Sequence, residues 1–83
     1  MKGYIIILST NVERSPDLEN LSTTLNSFSE VREWSIDMTD CDNVLRIETS
    51  TDINTSLINK LKPLGIECSL MGVFTRSPEK SLI

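Results

Sequence analysis

Few side chains in this sequence are equipped for chemistry. It has no histidine, and Cys41 and Cys68 are its only thiols. A thiolate is both a nucleophile and a soft-metal ligand, and it needs an electropositive setting to form. Cys41 stands between Asp40 and Asp42, which supply the opposite. Cys68 falls in the alternating stretch Ile66, Cys68, Leu70, where a cysteine reads as a small core hydrophobe. Met38 and Met71 are soft donors by type, but at strand positions packing accounts for them. Asp37, Asp40 and Asp42 cluster without the glycine and distal glutamate of a calcium loop, so they read as a solvated turn. Without histidine, proton transfer near neutral pH requires a strongly shifted carboxylate or cysteine. The three glycines are scattered, so no phosphate-cradling loop is formed either. The chain therefore reads as a non-enzyme, with no catalytic residue, no metal ligand and no cofactor assigned.

The pattern of apolar residues sets out the elements that position these groups. Tyr4 to Leu8 is an unbroken apolar run, as in a strand buried on both faces. Ser15, Pro16 and Asp17 form a helix start, and Leu18, Leu21, Leu25 and Phe28 follow at helical spacing. From Val31 the period becomes two, with Trp34, Ile36 and Met38 alternating with Glu33, Ser35 and Asp37. A polar turn at 40–43 leads into a second alternating strand, Val44 to Thr49, which makes a hairpin. A second helix is expected from near Asn54, with Leu57, Ile58, Leu61 and Leu64 on its buried face. Pro63 should tighten its last turn, and Gly65 should stop it. Ile66, Cys68 and Leu70 then open a last strand. The order β-α-β-β-α-β, with right-handed crossovers, predicts an α+β ferredoxin-like sandwich: a four-stranded antiparallel sheet with two helices on one face. A single domain over residues 1–74 and a polar tail over 75–83 are expected.

Size and charge exclude several roles. A chain of 83 residues holds one core and buries only roughly 60–65% of the surface exposed on unfolding. A net charge of −4 opposes binding to nucleic acid or to an anionic membrane surface. The first apolar run is far too short to span a bilayer, and no cleavage-site pattern follows it. RNA recognition on this fold uses aromatic residues on the outer face of the central strands. The corresponding positions here are Ile5, Ile7, Val44, Arg46 and Glu48. Two cysteines without a disulfide framework fit a reducing, cytoplasmic setting.

Three phrases in the chain resemble the heavy-metal-associated domains, the small copper-chaperone-like modules. They are the TNV turn after the first strand, VREWSIDMTDCDNVLRIE with its hairpin, and LINKLKPLGIECSL with its closing helix, glycine and strand. The resemblance covers about residues 4–72 and implies the same sandwich. It also implies a C-x-x-C clamp for copper(I), zinc or similar soft ions in the first turn. Aligned on TNV, the two clamp positions are Arg14 and Asp17, and neither side chain replaces a thiolate. This chain thus resembles a degenerate member of the family. As a charge pair at the helix start, Arg14 and Asp17 are worth less than about 1 kcal/mol.

If Ile6 and Leu8 face the helices, Ile5 and Ile7 point to the open side of the sheet. Together with Val44, Met71 and Val73 they form a candidate interaction face, since an uncovered apolar patch asks for a partner. The expected role is a protein-interaction or structural module that assembles as a homo-oligomer or with another protein. The alternatives are a small-ligand or metal-sensing domain with its site at a subunit interface, and a tail folded back over the patch through Val73, Phe74, Leu82 and Ile83.

Overall fold

A computed structural model describes residues 3–13, 15–39 and 41–76. Arg14, Asp40 and the tail from residue 77, with Leu82 and Ile83, lie outside the described residues. The element order is β1 (Gly3–Thr10), α1 (Ser15–Asn26), β2 (Val31–Asp37), β3 (Val44–Thr49), α2 (Asn54–Leu61), a 3₁₀ turn (Lys62–Leu64) and β4 (Cys68–Arg76). The strands form one antiparallel sheet in the order β2-β3-β1-β4. This is the ferredoxin-like βαββαβ sandwich.

The pleat sorts the side chains. Ile6 is paired with Ile47 and Leu8 with Leu45, and all four are fully buried with Leu21 and Leu25 of α1 and Leu57 and Leu61 of α2. Trp34 and Ile36, paired with Ile47 and Leu45, extend this helix-side layer onto β2. The opposite parity, Ile5, Ile7, Glu33, Ser35, Val44, Arg46 and Glu48, lines the open side.

Local departures from the expected pattern each have a cause. α1 ends at Asn26, and Phe28 follows in a turn in which its N–H donates to the Leu25 carbonyl. β2 ends at Asp37, so Met38 sits in the hairpin turn and is exposed. Pro63 has no N–H for an α-helical bond, and the chain tightens there into the 3₁₀ turn. That tightening turns Leu64 off the apolar stripe, leaving it 43% exposed. Gly65 closes the helix at φ 83°, a left-handed conformation that a side chain would strain. α2 has no side-chain cap on its N-cap residue, Ile53; instead Asp52 Oδ1, one residue earlier, accepts from the Asn54 N–H at 3.1 Å.

The last strand carries the main correction. β4 runs to Arg76, opposite Gly3, past the boundary expected at residue 74. Its pairing with β1 shifts between Ile7, opposite Gly72, and Leu8, opposite Leu70, so Met71 is the extra residue of a β-bulge. The bulge resets the alternation by one. Val73 therefore lies opposite Ile6 and packs on the core rather than on the open face. Phe74, opposite Ile5, takes the open-face place instead.

Candidate functional site

The turn after β1 is anchored to two other loops. Thr10 N–H donates to the Asp42 carbonyl at 3.0 Å, and Thr10 Oγ1 donates to the Asn43 carbonyl at 2.8 Å. Thr10 Oγ1 also accepts from Val12 N–H at 3.3 Å. Asn43 Nδ2 returns a bond to the Val12 carbonyl at 2.7 Å. Asn43 adopts φ 44°, which asparagine tolerates better than most residues. On the other flank, Asn11 N–H donates to the Glu67 carbonyl at 3.1 Å while Asn11 Oδ1 accepts from Glu67 N–H at 2.9 Å. Asn11 Nδ2 reaches the Gly65 carbonyl at 3.3 Å. Val12 fills the space between and is fully buried. The loop is thus held by side-chain amides and a hydroxyl whose polar atoms bind backbone.

Of the two residues expected to replace a metal clamp, Asp17 lies in the first turn of α1, half-buried. Its Oδ2 accepts from Glu13 N–H at a long 3.5 Å, and the carboxylate complements the positive end of the helix. Arg14 lies outside the described residues.

The two cysteines sit on opposite sides of β1. Cys41 is exposed in the turn leading to β3, whereas Cys68 begins β4 opposite Thr10. Two strand spacings amount to roughly 9–10 Å, beyond the Cα separation that a disulfide bridges. Burial raises the Cys68 thiol from 9.0 to about 11. A folded-state pKa raised above the unfolded value gives stability that is present below about pH 9. It is lost as pH rises toward 11, because only the unfolded chain then releases the proton. We expect a colorimetric thiol reagent at pH 8 to titrate Cys41 quickly and Cys68 only on unfolding. Cys68→Ala should remove the corresponding part of the alkaline destabilisation. Rapid reaction of both thiols in the native state would contradict this assignment.

The open face divides into two halves. Over β2 and β3 it is polar, with Arg46 bonded to Glu48 at 3.2 Å and Glu33 lying opposite Glu48. Over β1 and β4 it is apolar, with Ile5, Ile7 and Phe74, and Met71 projecting from the bulge. The Phe74 ring lies 3.2 Å from where a Cβ on Gly72 would stand, so it covers the gap that glycine leaves beside Ile7. Of the expected face, Ile5, Ile7 and Val44 have open-side parity, and Val73 does not. Phe74 was expected in a tail covering the face rather than on the face itself, because the bulge that turns it outward leaves no mark in the residue pattern. Asn11 and Asn43 escaped because each reaches more than thirty residues along the chain.

Among the described residues, no group of three or more Cys, His, Asp or Glu side chains is arranged to hold a metal ion. A cleft of about 330 Å³ opens between the end of α2 and β4, lined by Ile58, Lys62, Ile66, Glu67, Cys68 and Ser69.

Solved structures with the same architecture place the chain by fold. The copper(I)-loaded first domain of the human copper chaperone for superoxide dismutase matches with a TM-score of 0.69 at 11% identity, over 87% of this chain and 97% of that one. The yeast copper transporter domain CCC2A matches with a TM-score of 0.71 at 15% identity, over 83% and 96%. The apo HMA domain of a copper chaperone for superoxide dismutase matches with a TM-score of 0.71 at 11% identity, over 98% and 80%. No protein-family model and no curated protein matches the sequence. The chain therefore has the fold of the heavy-metal-associated domains of copper chaperones, at identities that establish architecture alone. The residues at its first turn do not fit a copper(I) ion. Threonine, asparagine and aspartate are hard oxygen donors, and the described amides there are already committed to backbone.

Proposed function

We propose that this chain is a heavy-metal-associated-like domain that has exchanged metal handling for protein contact. It acts as a non-catalytic interaction module, assembles with itself or another protein, and works in a reducing, cytoplasmic setting. The observation that carries this reading is the apolar half of the open face, where Met71 is 54% and Phe74 59% exposed. No helix among the described residues packs on that side, and exposed apolar side chains clustered this way mark contact surfaces. The donor set of the β1–α1 turn supports the metal-independent part. A net charge of −4 favours a protein partner over nucleic acid or an anionic lipid surface. No helix among the described residues is long and apolar enough to cross a membrane.

The cleft beside Cys68 is what supports the small-ligand alternative. Its volume is at the low end for ligand pockets, and Lys62, Glu67 and Ser69 are exposed rather than converging inside it. The interaction reading is therefore preferred.

Light scattering and elemental analysis of one reduced, purified sample test the proposal. A metal-free protein whose mass exceeds that of one 9.3 kDa chain is expected. Copper or zinc retained in stoichiometric amount after desalting would overturn the metal-independent reading. A mass that stays monomeric at every concentration would overturn self-association.

A further inference from the structure

The two edges of the sheet differ in protection. β2 carries Arg32, Glu33 and Asp37, and charges along an edge strand oppose pairing with a further strand. β4, the other edge, has no charged residue from Cys68 to Thr75. Five large hydrophobic residues are exposed among the described residues, and three of them lie on β4: Leu70 at 47%, Met71 at 54% and Phe74 at 59%. These three do not share a face. Leu70 lies opposite Leu8 on the helix side of the sheet, whereas Phe74 lies opposite Ile5 on the open side. A partner laid flat on the open face would cover Phe74 and leave Leu70 in water. A strand added along the edge meets both.

We propose that β4 is a strand-pairing edge whose partner is β4 of a second copy, running antiparallel and joining two sheets into one. This rests on the interaction reading above and specifies its geometry. The partner edge must itself be free of charge, and within this molecule β2 fails that condition. Each copy carries a net charge of −4, so self-contact is least opposed where no charge accumulates, which is the stretch from Cys68 to Thr75. The shape of the strand is self-complementary as well. A two-fold axis through Val73 sets Gly72, the smallest residue of the strand, across from Phe74, its largest, of the second copy. About that axis Leu70 stands across from residue 76 of the second copy, so the ladder crosses the bulge at Met71 and takes in both Leu70 and Phe74. Pairing consumes both β4 edges and leaves only the charged β2 edges outside, so the assembly closes at two copies instead of growing into a filament.

Sedimentation velocity on the full chain, over a range of concentrations, tests the proposal with two variants. Leu70→Lys places a charge on the edge strand, on the side away from the open face. Ile5→Glu places one on the open face, away from the edge. The expected result is a dimer for the natural sequence and for Ile5→Glu, and a monomer for Leu70→Lys with unchanged far-ultraviolet circular dichroism. A Leu70→Lys variant that dimerises like the natural sequence overturns edge pairing while leaving the interaction reading intact. A natural sequence that is monomeric throughout overturns the self-association beneath it. Should Leu70→Lys fail to fold, amide hydrogen exchange on the natural sequence decides the matter. Slower exchange in β4 at higher concentration supports the pairing, and unchanged exchange refutes it.

Discussion

Replacing Arg14 and Asp17 together with cysteine is expected to give a protein that retains about one equivalent of copper(I) on desalting, where the natural sequence retains none. The two positions follow from alignment on the TNV turn and are three apart in sequence, with Asp17 in the first turn of α1. That spacing is the one of the C-x-x-C clamp that the resemblance implies, whose paired thiolates suit a soft ion. The first turn of a helix also lowers thiol pKa values, so the metal-binding form is available near neutral pH. The loop before it is fixed by Asn11 and Asn43, which limits the ordering that ligation must impose. At a free ion concentration a hundred times Kd, binding to the folded state alone adds about 2.7 kcal/mol of stability, visible as a raised melting temperature. The single variants should show neither effect. Failure of the double variant to hold copper(I) would mean that the likeness to copper-binding domains stops short of the turn.

Ile47→Ala is expected to cost about 3–4 kcal/mol, within the upper part of the range for truncating a buried aliphatic side chain. Ile47 lies on a central strand, opposite Ile6 on one side and Trp34 on the other, and is completely buried. Helices cover that face, and flanking strands pin the neighbours, so the vacated volume cannot collapse. Domains of this size are stable by about 4–12 kcal/mol, and the variant should therefore be marginal. Urea titration at unchanged slope reads the loss directly. Ile7→Ala, one strand over but on the open face, should cost less than half as much. Comparable losses at both sites would show that the open face is covered in solution, and would point to the assembled state as the unit of stability.

Much of the fold was legible because its signals are local. The period-two stretches at Val31 and Val44, the leucines at helical spacing, and the Pro63–Gly65 stop each act within a few residues. All three appear in the structure where the pattern puts them. Errors arose where a local rule was extended past a point that tertiary contacts control. Leu64 was placed on the buried face of α2 because the helical period was carried through a proline. Val73 was placed on the open face because alternation was carried through a bulge.

The candidate site was less legible. Arg14 and Asp17 were found by resemblance, but the side chains that hold the turn in place, Asn11 and Asn43, bond to partners far along the chain. No spacing rule reveals such pairs, because sequence separation does not encode them.

By itself the sequence determined the architecture, the absence of thiolates and imidazoles at the first turn, and the charge balance. These are properties of composition and short-range periodicity, on which burial and solvation act residue by residue. Only the tertiary structure decided which strand became the unguarded edge, which side of the sheet Val73 and Phe74 occupy, and how three loops lock around Val12. Those outcomes depend on strand order, register and one inserted residue. Each is set by the joint packing of distant segments, so none can be read from any one of them alone.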